Sequence, residues 1–146
     1  KTMVHLNNGA KNAMNNSNVN ACTDITGYGL LGHLLEMCLG SNVSAEIYYK
    51  ELTFIPKTED LAKQNIIPGG SRKNLNYVND KVDFSDLILD YQKLMIADAQ
   101  TSGGLLISVP EKKSQDFISN LQEEQCLTYN IIGTITEKKD KSIYVQ

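Results

Sequence analysis

No two cysteines of this chain stand close enough for a CxxC pair: Cys22, Cys38 and Cys126 are odd in number and far apart. That spacing argues against a disulfide framework or a zinc site and suits a reducing, cytoplasmic compartment. Cys38 falls within an apolar helical pattern, as a small hydrophobe would. Cys22 lies two residues from Asp24 with no basic neighbour to lower its pKa. Positive charge is not in surplus either. A formal net charge of −3 gives no electrostatic reason to expect nucleic acid or an anionic membrane as partner. No apolar run approaches the ~20 residues that span a bilayer. The opening Lys1-Thr2-Met3-Val4-His5 is too polar for a signal peptide, and no internal repeat is visible.

What remains is enough for one domain over residues 1–146. With 146 residues, 41% of them hydrophobic, such a domain buries roughly 68–70% of the surface its unfolded chain exposes. The chain opens on Lys1 rather than methionine, in a Lys- and Asn-rich segment with a weak helical pattern. It reads as the middle of a longer protein.

Periodicity predicts a helix over 3–15, ended by Asn15-Asn16-Ser17-Asn18. A short strand over 19–25 follows, then a helix over 29–39 on Leu30, Leu31, Leu34, Leu35 and Cys38, with Gly40 as its C-terminal cap. Val43, Ala45, Ile47 and Tyr49 alternate as a strand. A helix is expected over 58–65, then a Pro68-Gly69-Gly70-Ser71 turn and a polar stretch over 71–83 with no period. A helix over 85–95, a buried strand over 105–109 closed by Pro110, and a helix over 111–124 come next. Strands over 127–136 and 142–145 are expected to pair antiparallel across the charged turn Glu137–Lys141, itself a solvated tip. The order predicts an α/β or α+β sandwich with a mixed sheet.

The chemistry concentrates in Thr23-Asp24-Ile25-Thr26-Gly27-Tyr28-Gly29-Leu30-Leu31-Gly32. Three readings compete. Gly27, Gly29 and Gly32 match GxGxxG, with Glu51 about two dozen residues on as a ribose-binding acid. Against this, Val19–Asp24 is not the apolar central strand of a parallel sheet, and an acid at residue 24 would sit near the pyrophosphate. The second reading gives the glycines only a tight strand-to-helix turn, which leaves Asp24, Thr23, Thr26 and Thr101 unexplained. In the third, Asp24 is one carboxylate arm for Mg²⁺, whose other positions are filled by water and phosphate oxygens. The start of the helix near Gly29 favours an anion, and Thr101, Ser102, Gly103 and Gly104 supply hydroxyls and an anion-holding nest.

TDITGYGLLGHLLEM at 23–37, IPGGSRKN at 67–74 and ADAQTSGGLLISVP at 97–110 together resemble the C-terminal domain of the selenide, water dikinases (selenophosphate synthetases). These belong to a superfamily with aminoimidazole ribonucleotide synthetase, thiamine monophosphate kinase and a hydrogenase maturation protein. The resemblance implies a three-layer α/β/α sandwich with a mixed sheet, as the C-terminal half of a two-domain enzyme. The implied reaction converts ATP, selenide and water to selenophosphate, AMP and phosphate. By position, Asp24 is the magnesium ligand that the family carries in this motif. The other metal aspartates, the catalytic Cys or Sec and most ATP contacts belong to an N-terminal domain that this chain lacks. No catalytic residue is therefore expected here, and the piece alone should be inactive; the full enzyme would be a homodimer. The family loop usually reads DPQTSGG, and Ala99 in place of proline implies a slightly softer loop. The resemblance assigns no role to Pro68–Asn74, although Arg72 is a candidate to face phosphate. The metal reading requires Asp24 to project toward a crevice shared with the start of the glycine helix and the 100–104 bend.

Overall fold

The computed structural model describes residues 5–15 and 17–146. Six α-helices and six strands follow one another along them: α1 (Asn8–Asn15), β1 (Ala21–Asp24), α2 (Gly29–Ser41), β2 (Ser44–Ile47), α3 (Thr58–Lys63), α4 (Gly69–Val78), β3 (Val82–Phe84), α5 (Asp90–Ile96), β4 (Leu105–Ser108), α6 (Ser114–Glu123), β5 (Gly133–Thr136) and β6 (Ile143–Val145). Residues 3 and 4 of the helix expected over 3–15 lie outside the described residues.

The strands form two sheets. β1 and β4 make an antiparallel ribbon, with Thr23 opposite Leu106 and Cys22 opposite Ile107. The other four form a mixed sheet in the order β3-β6-β2-β5. In it β6 is parallel to both β2 and β3, and β5 is antiparallel to β2. The expected β5–β6 hairpin is therefore not formed, because β2 lies between its two arms. Ser44 explains the insertion. It is fully buried, donates to Lys141 O at 2.7 Å and accepts from Lys139 N–H at 2.9 Å, so the charged turn closes over β2 instead of folding back on β5. The turn's lysines are tied down as well as solvated: Lys139 Nζ meets Glu46 Oε1 at 2.6 Å.

α2 is the central helix. Leu31 and Cys38 are fully buried, and Leu34 and Leu35 nearly so. They pack with Ile47, Val78, Ile143 and Val145 into the main core. A smaller cluster joins Ala13 of α1 to Phe117 and Leu121 of α6. The ribbon separates the two clusters. Leu106 points to the main core and its neighbour Ile107 to the smaller one, as alternation along a strand requires. Helices thus lie on both faces of the ribbon, an α/β/α arrangement.

Several boundaries move from expectation. α2 runs through Gly40 and ends at Asn42, whose left-handed backbone (φ 54°) lets its N–H reach the Cys38 and Leu39 carbonyls. The strand expected over 43–49 closes at Ile47, before a 3₁₀ turn at Tyr49–Glu51. Residues 85–89 are not helical. α5 begins at Asp90, where Gln92 Oε1 accepts the Leu89 N–H at 2.8 Å. Residues 127–132 stay outside the sheet. The largest correction is the polar stretch over 71–83, which holds most of α4 and the first two residues of β3.

Candidate functional site

The three motifs singled out in the sequence meet at one end of the ribbon. β1 ends on Asp24, which is exposed. Beyond it the chain continues alongside residues 97–104 without regular pairing. Ile25 N–H donates to Gly104 O at 3.0 Å, and Gln100 N–H donates to Thr26 O at 2.9 Å. Thr26 O also accepts from Gly29 N–H at 3.1 Å, which closes the turn into α2.

Two glycines are needed for this close approach. Gly29 has φ +67°, and a Cβ there would stand 2.7 Å from the backbone of Ala97 and Asp98. A side chain at Gly103 would overlap the Ile25 carbonyl. Both are steric requirements of backbone-on-backbone contact.

The third motif, on α4, holds the other two. Asn74 Nδ2 donates to Gly27 O at 2.9 Å and to Ala97 O at 3.0 Å. Ser71, fully buried, donates its hydroxyl to Asp98 Oδ1. Sequence reasoning missed Ser71, Asn74 and Asp98. The available signal was Ser71, Asn74, Leu75 and Val78, a spacing of i, i+3, i+4, i+7 that describes one helix face. Two of those four positions are polar because they bind loops rather than fill a core.

His33, on the buried face of α2, supports the turn from below. Its Nε2 lies 3.1 Å from Thr26 Oγ1 and its Nδ1 lies 3.5 Å from Glu36 Oε2. With the neutral ring, Nδ1–H facing Glu36 leaves Nε2 to accept from the Thr26 hydroxyl. Tyr28 packs edge-on against this imidazole with 5.9 Å between ring centroids, and also touches Tyr77.

The predicted residues are thus partly brought together. Asp24, Gly27, Gly29, Gly103 and Gly104 share the ribbon end. Thr101 and Ser102 are exposed on the adjoining bend. Thr26 is near them, but its hydroxyl is engaged by His33. Thr23 alternates to the opposite ribbon face from Asp24, and its hydroxyl donates to Asp24 O at 3.3 Å. Arg72 donates to Asn65 Oδ1 at 2.6 Å. It lines a cavity of about 270 Å³ with Asp90 and Lys93, and no residue of the glycine turn reaches that cavity.

The dinucleotide reading fails on topology. Among the described residues β1 pairs only with β4, antiparallel, while α2 leads into a strand of the other sheet. No parallel β-α-β crossover follows the glycines, and Glu51 stands exposed in a 3₁₀ turn. The cysteines are poor nucleophile candidates. Burial, then the Asp24 carboxylate, pushes the Cys22 thiol up; burial raises Cys38; burial, then Glu124, raises Cys126.

As a ligand set for a hard cation, the site offers one arm. Asp24 is an exposed carboxylate at a fixed strand end, which suits Mg²⁺. Among the described residues, no group of three or more His, Cys, Asp or Glu is placed to hold an ion.

Over residues 1–146 the sequence matches the family described as AIR synthase related protein, C-terminal domain. It is 37% identical over 145 residues to the selenide, water dikinase of Aliarcobacter butzleri (strain RM4018), covering 99% of this chain and 42% of that protein. It is 41% identical over 149 residues to the selenide, water dikinase of Treponema denticola, with the same coverage. The chain therefore spans about two fifths of the length of these relatives. A chain in a crystal structure of a HypE-HypF complex superposes with a TM-score of 0.64 at 14% identity, over 99% of this chain and 39% of that one. At that identity the likeness is one of fold.

Proposed function

The chain belongs to the AIR synthase related protein, C-terminal domain family, and from that premise we propose that it is the C-terminal domain of an ATP-dependent selenophosphate synthetase. The full enzyme would convert ATP, selenide and water to selenophosphate, AMP and phosphate. Residues 1–146 form one domain in this reading. An N-terminal domain supplies the nucleophile, the remaining metal carboxylates and most ATP contacts, and the enzyme works as a cytoplasmic homodimer. The observation that carries the proposal is the convergence of three motifs, distant in sequence, on one exposed carboxylate.

In this reading Asp24 holds one magnesium ion from the C-terminal side of a cleft between the domains, a usual place for ligands. When bound, magnesium neutralises charge on the phosphate oxygens. The chain's own contribution is positional. The end of β1 fixes where the Asp24 carboxylate stands. Gly29 and Gly103 bring the glycine turn and the 97–104 loop into contact. Exposed Thr101 and Ser102 border the same opening and offer hydroxyl donors to a phosphate. Thr26 takes part through its backbone carbonyl, since its side chain is spent on His33.

The test is Asp24→Asn in the full-length enzyme, with selenide-dependent AMP release followed across a magnesium titration. Loss of the carboxylate should raise the magnesium requirement at least about tenfold, in line with the cost of disturbing metal ligation. The melting temperature should stay close to that of the parent, because the side chain is exposed. An unchanged magnesium dependence would reject the metal role of Asp24.

A further inference from the structure

We propose that Asn74 is a positioning residue for the metal carboxylate, acting as a clamp that sets the distance between the glycine turn and the 97–104 loop. The inference rests on the reading of Asp24 given above.

Past Asp24, three hydrogen-bonded links join the two chain segments among the described residues. Ile25 N–H to Gly104 O is the nearest to the ribbon, and Gln100 N–H to Thr26 O is next. The outermost is not a backbone bond at all. It is the Asn74 amide, which spans from Gly27 O to Ala97 O. Both partners are carbonyl oxygens, so only the amide nitrogen can face them, and its two N–H groups are both used. Nothing stands within 4 Å of where a side chain at residue 27 would project. The Gly27 peptide is thus open on that side, and the direct packing of the turn on Ala97 and Asp98 begins only at Gly29.

The platform carrying Asn74 is itself rigid. Its helix neighbours Ser71 and Val78 are fully buried, Ser71 on Asp98 and Val78 in the main core. Asn74 thus transmits the position of the core to the turn that follows Asp24. Groups that orient a metal ligand in this way control affinity without touching the ion.

The experiment uses the full-length enzyme and the variants Asn74→Asp and Asn74→Ala. Aspartate keeps the shape but offers only acceptors to two carbonyls; alanine removes the bridge without adding charge. Two readouts are taken: AMP release against magnesium concentration, and binding of Mn²⁺ alone followed by the EPR signal of free Mn²⁺. For both variants we expect the magnesium requirement and the Mn²⁺ dissociation constant to rise about tenfold, with kcat at saturating magnesium within about twofold of the parent. Asn74→Asp should be the worse of the two. Unchanged Mn²⁺ binding, or a fall in kcat with the magnesium requirement unmoved, would overturn the proposal. So would failure of both variants to fold, since Asn74 would then be a determinant of the fold rather than of the site. Asp24→Asn is run alongside. If it weakens Mn²⁺ binding and the Asn74 variants do not, the clamp fails and the metal reading stands. If it does not weaken binding, the metal reading itself has failed.

Discussion

Around α2 the chain is held by contact between apolar groups that have no freedom to be elsewhere. Leu31, Val78 and Ile143 are 0% exposed, and each touches residues from several elements. At the end of β1 the chain is held differently. There, single polar side chains on helices reach single groups on loops: the Asn74 amide donates to the Gly27 and Ala97 carbonyls, the Ser71 hydroxyl donates to the Asp98 carboxylate, and the His33 imidazole meets the Thr26 hydroxyl. The first kind of region is strong because many weak contacts add up. The second is precise because each link is directional. A site that must hold a carboxylate in place while leaving it exposed needs the second kind resting on the first, and α4 supplies that junction, with Val78 in the core and Asn74 on the loops.

Three substitutions probe this contrast. The largest effect belongs to the core. Leu31→Ala should cost about 2–5 kcal/mol, the transfer term plus a cavity that close-packed neighbours cannot fill. Urea denaturation of the parent and variant measures it, and a loss below about 1 kcal/mol would mean the core around α2 is looser than described. Gly29→Ala comes next, at about 1–3 kcal/mol for crowding a backbone contact at positive φ. Its effect should fall chiefly on the 97–104 loop, seen as faster amide exchange at Gln100 and Ile25 with the α2 core still protected. Uniform loss of protection would erase the distinction between the two regions.

The smallest effect is confined to alkaline pH. Burial, then the Glu59 carboxylate and the Tyr91 hydroxyl, push the Tyr49 phenol up to about 12 from 10.0. Because the folded value lies above the unfolded one, the unfolded chain releases this proton first as pH rises. The stability tied to the neutral phenol is complete below about pH 10 and is lost progressively toward pH 12. Tyr49→Phe should therefore melt with a shallower decline across that window than the parent. Parallel curves would show that Tyr49 carries none of it.

The sequence made the apolar parts of this fold legible, and the polar joints far less so. α2 was readable because Leu30, Leu31, Leu34, Leu35 and Cys38 recur at helical spacing. α6 was readable on the same grounds, and β4 as a continuous apolar run, Leu105 to Val109, closed by Pro110. α4 was not, because Ser71 and Asn74 occupy positions that a hydrophobic pattern requires to be apolar. Its period exists in the structure and is hidden by chemistry. The β5–β6 hairpin was misread for a related reason. A short charged turn between two strands favours pairing, and what opposes it is one buried serine on β2, far away in sequence. Of the site, Asp24 and the glycines of both loops could be picked out as local motifs. Their union could not be, since it depends on Asn74 and Ser71, residue types common in any solvated turn.

The position of β6 has a consequence for how the chain assembles. The last strand in sequence order lies in the interior of the four-stranded sheet, between β2 and β3, with Ile143 and Val145 almost wholly enclosed. Until it arrives, β2 and β3 have no partner between them and present open hydrogen-bonding edges. During synthesis, a nascent chain that has emerged only through α6 holds a split sheet, a species prone to pairing with its neighbours. The keystone is delivered late, and the chain's exposure to aggregation lasts until then.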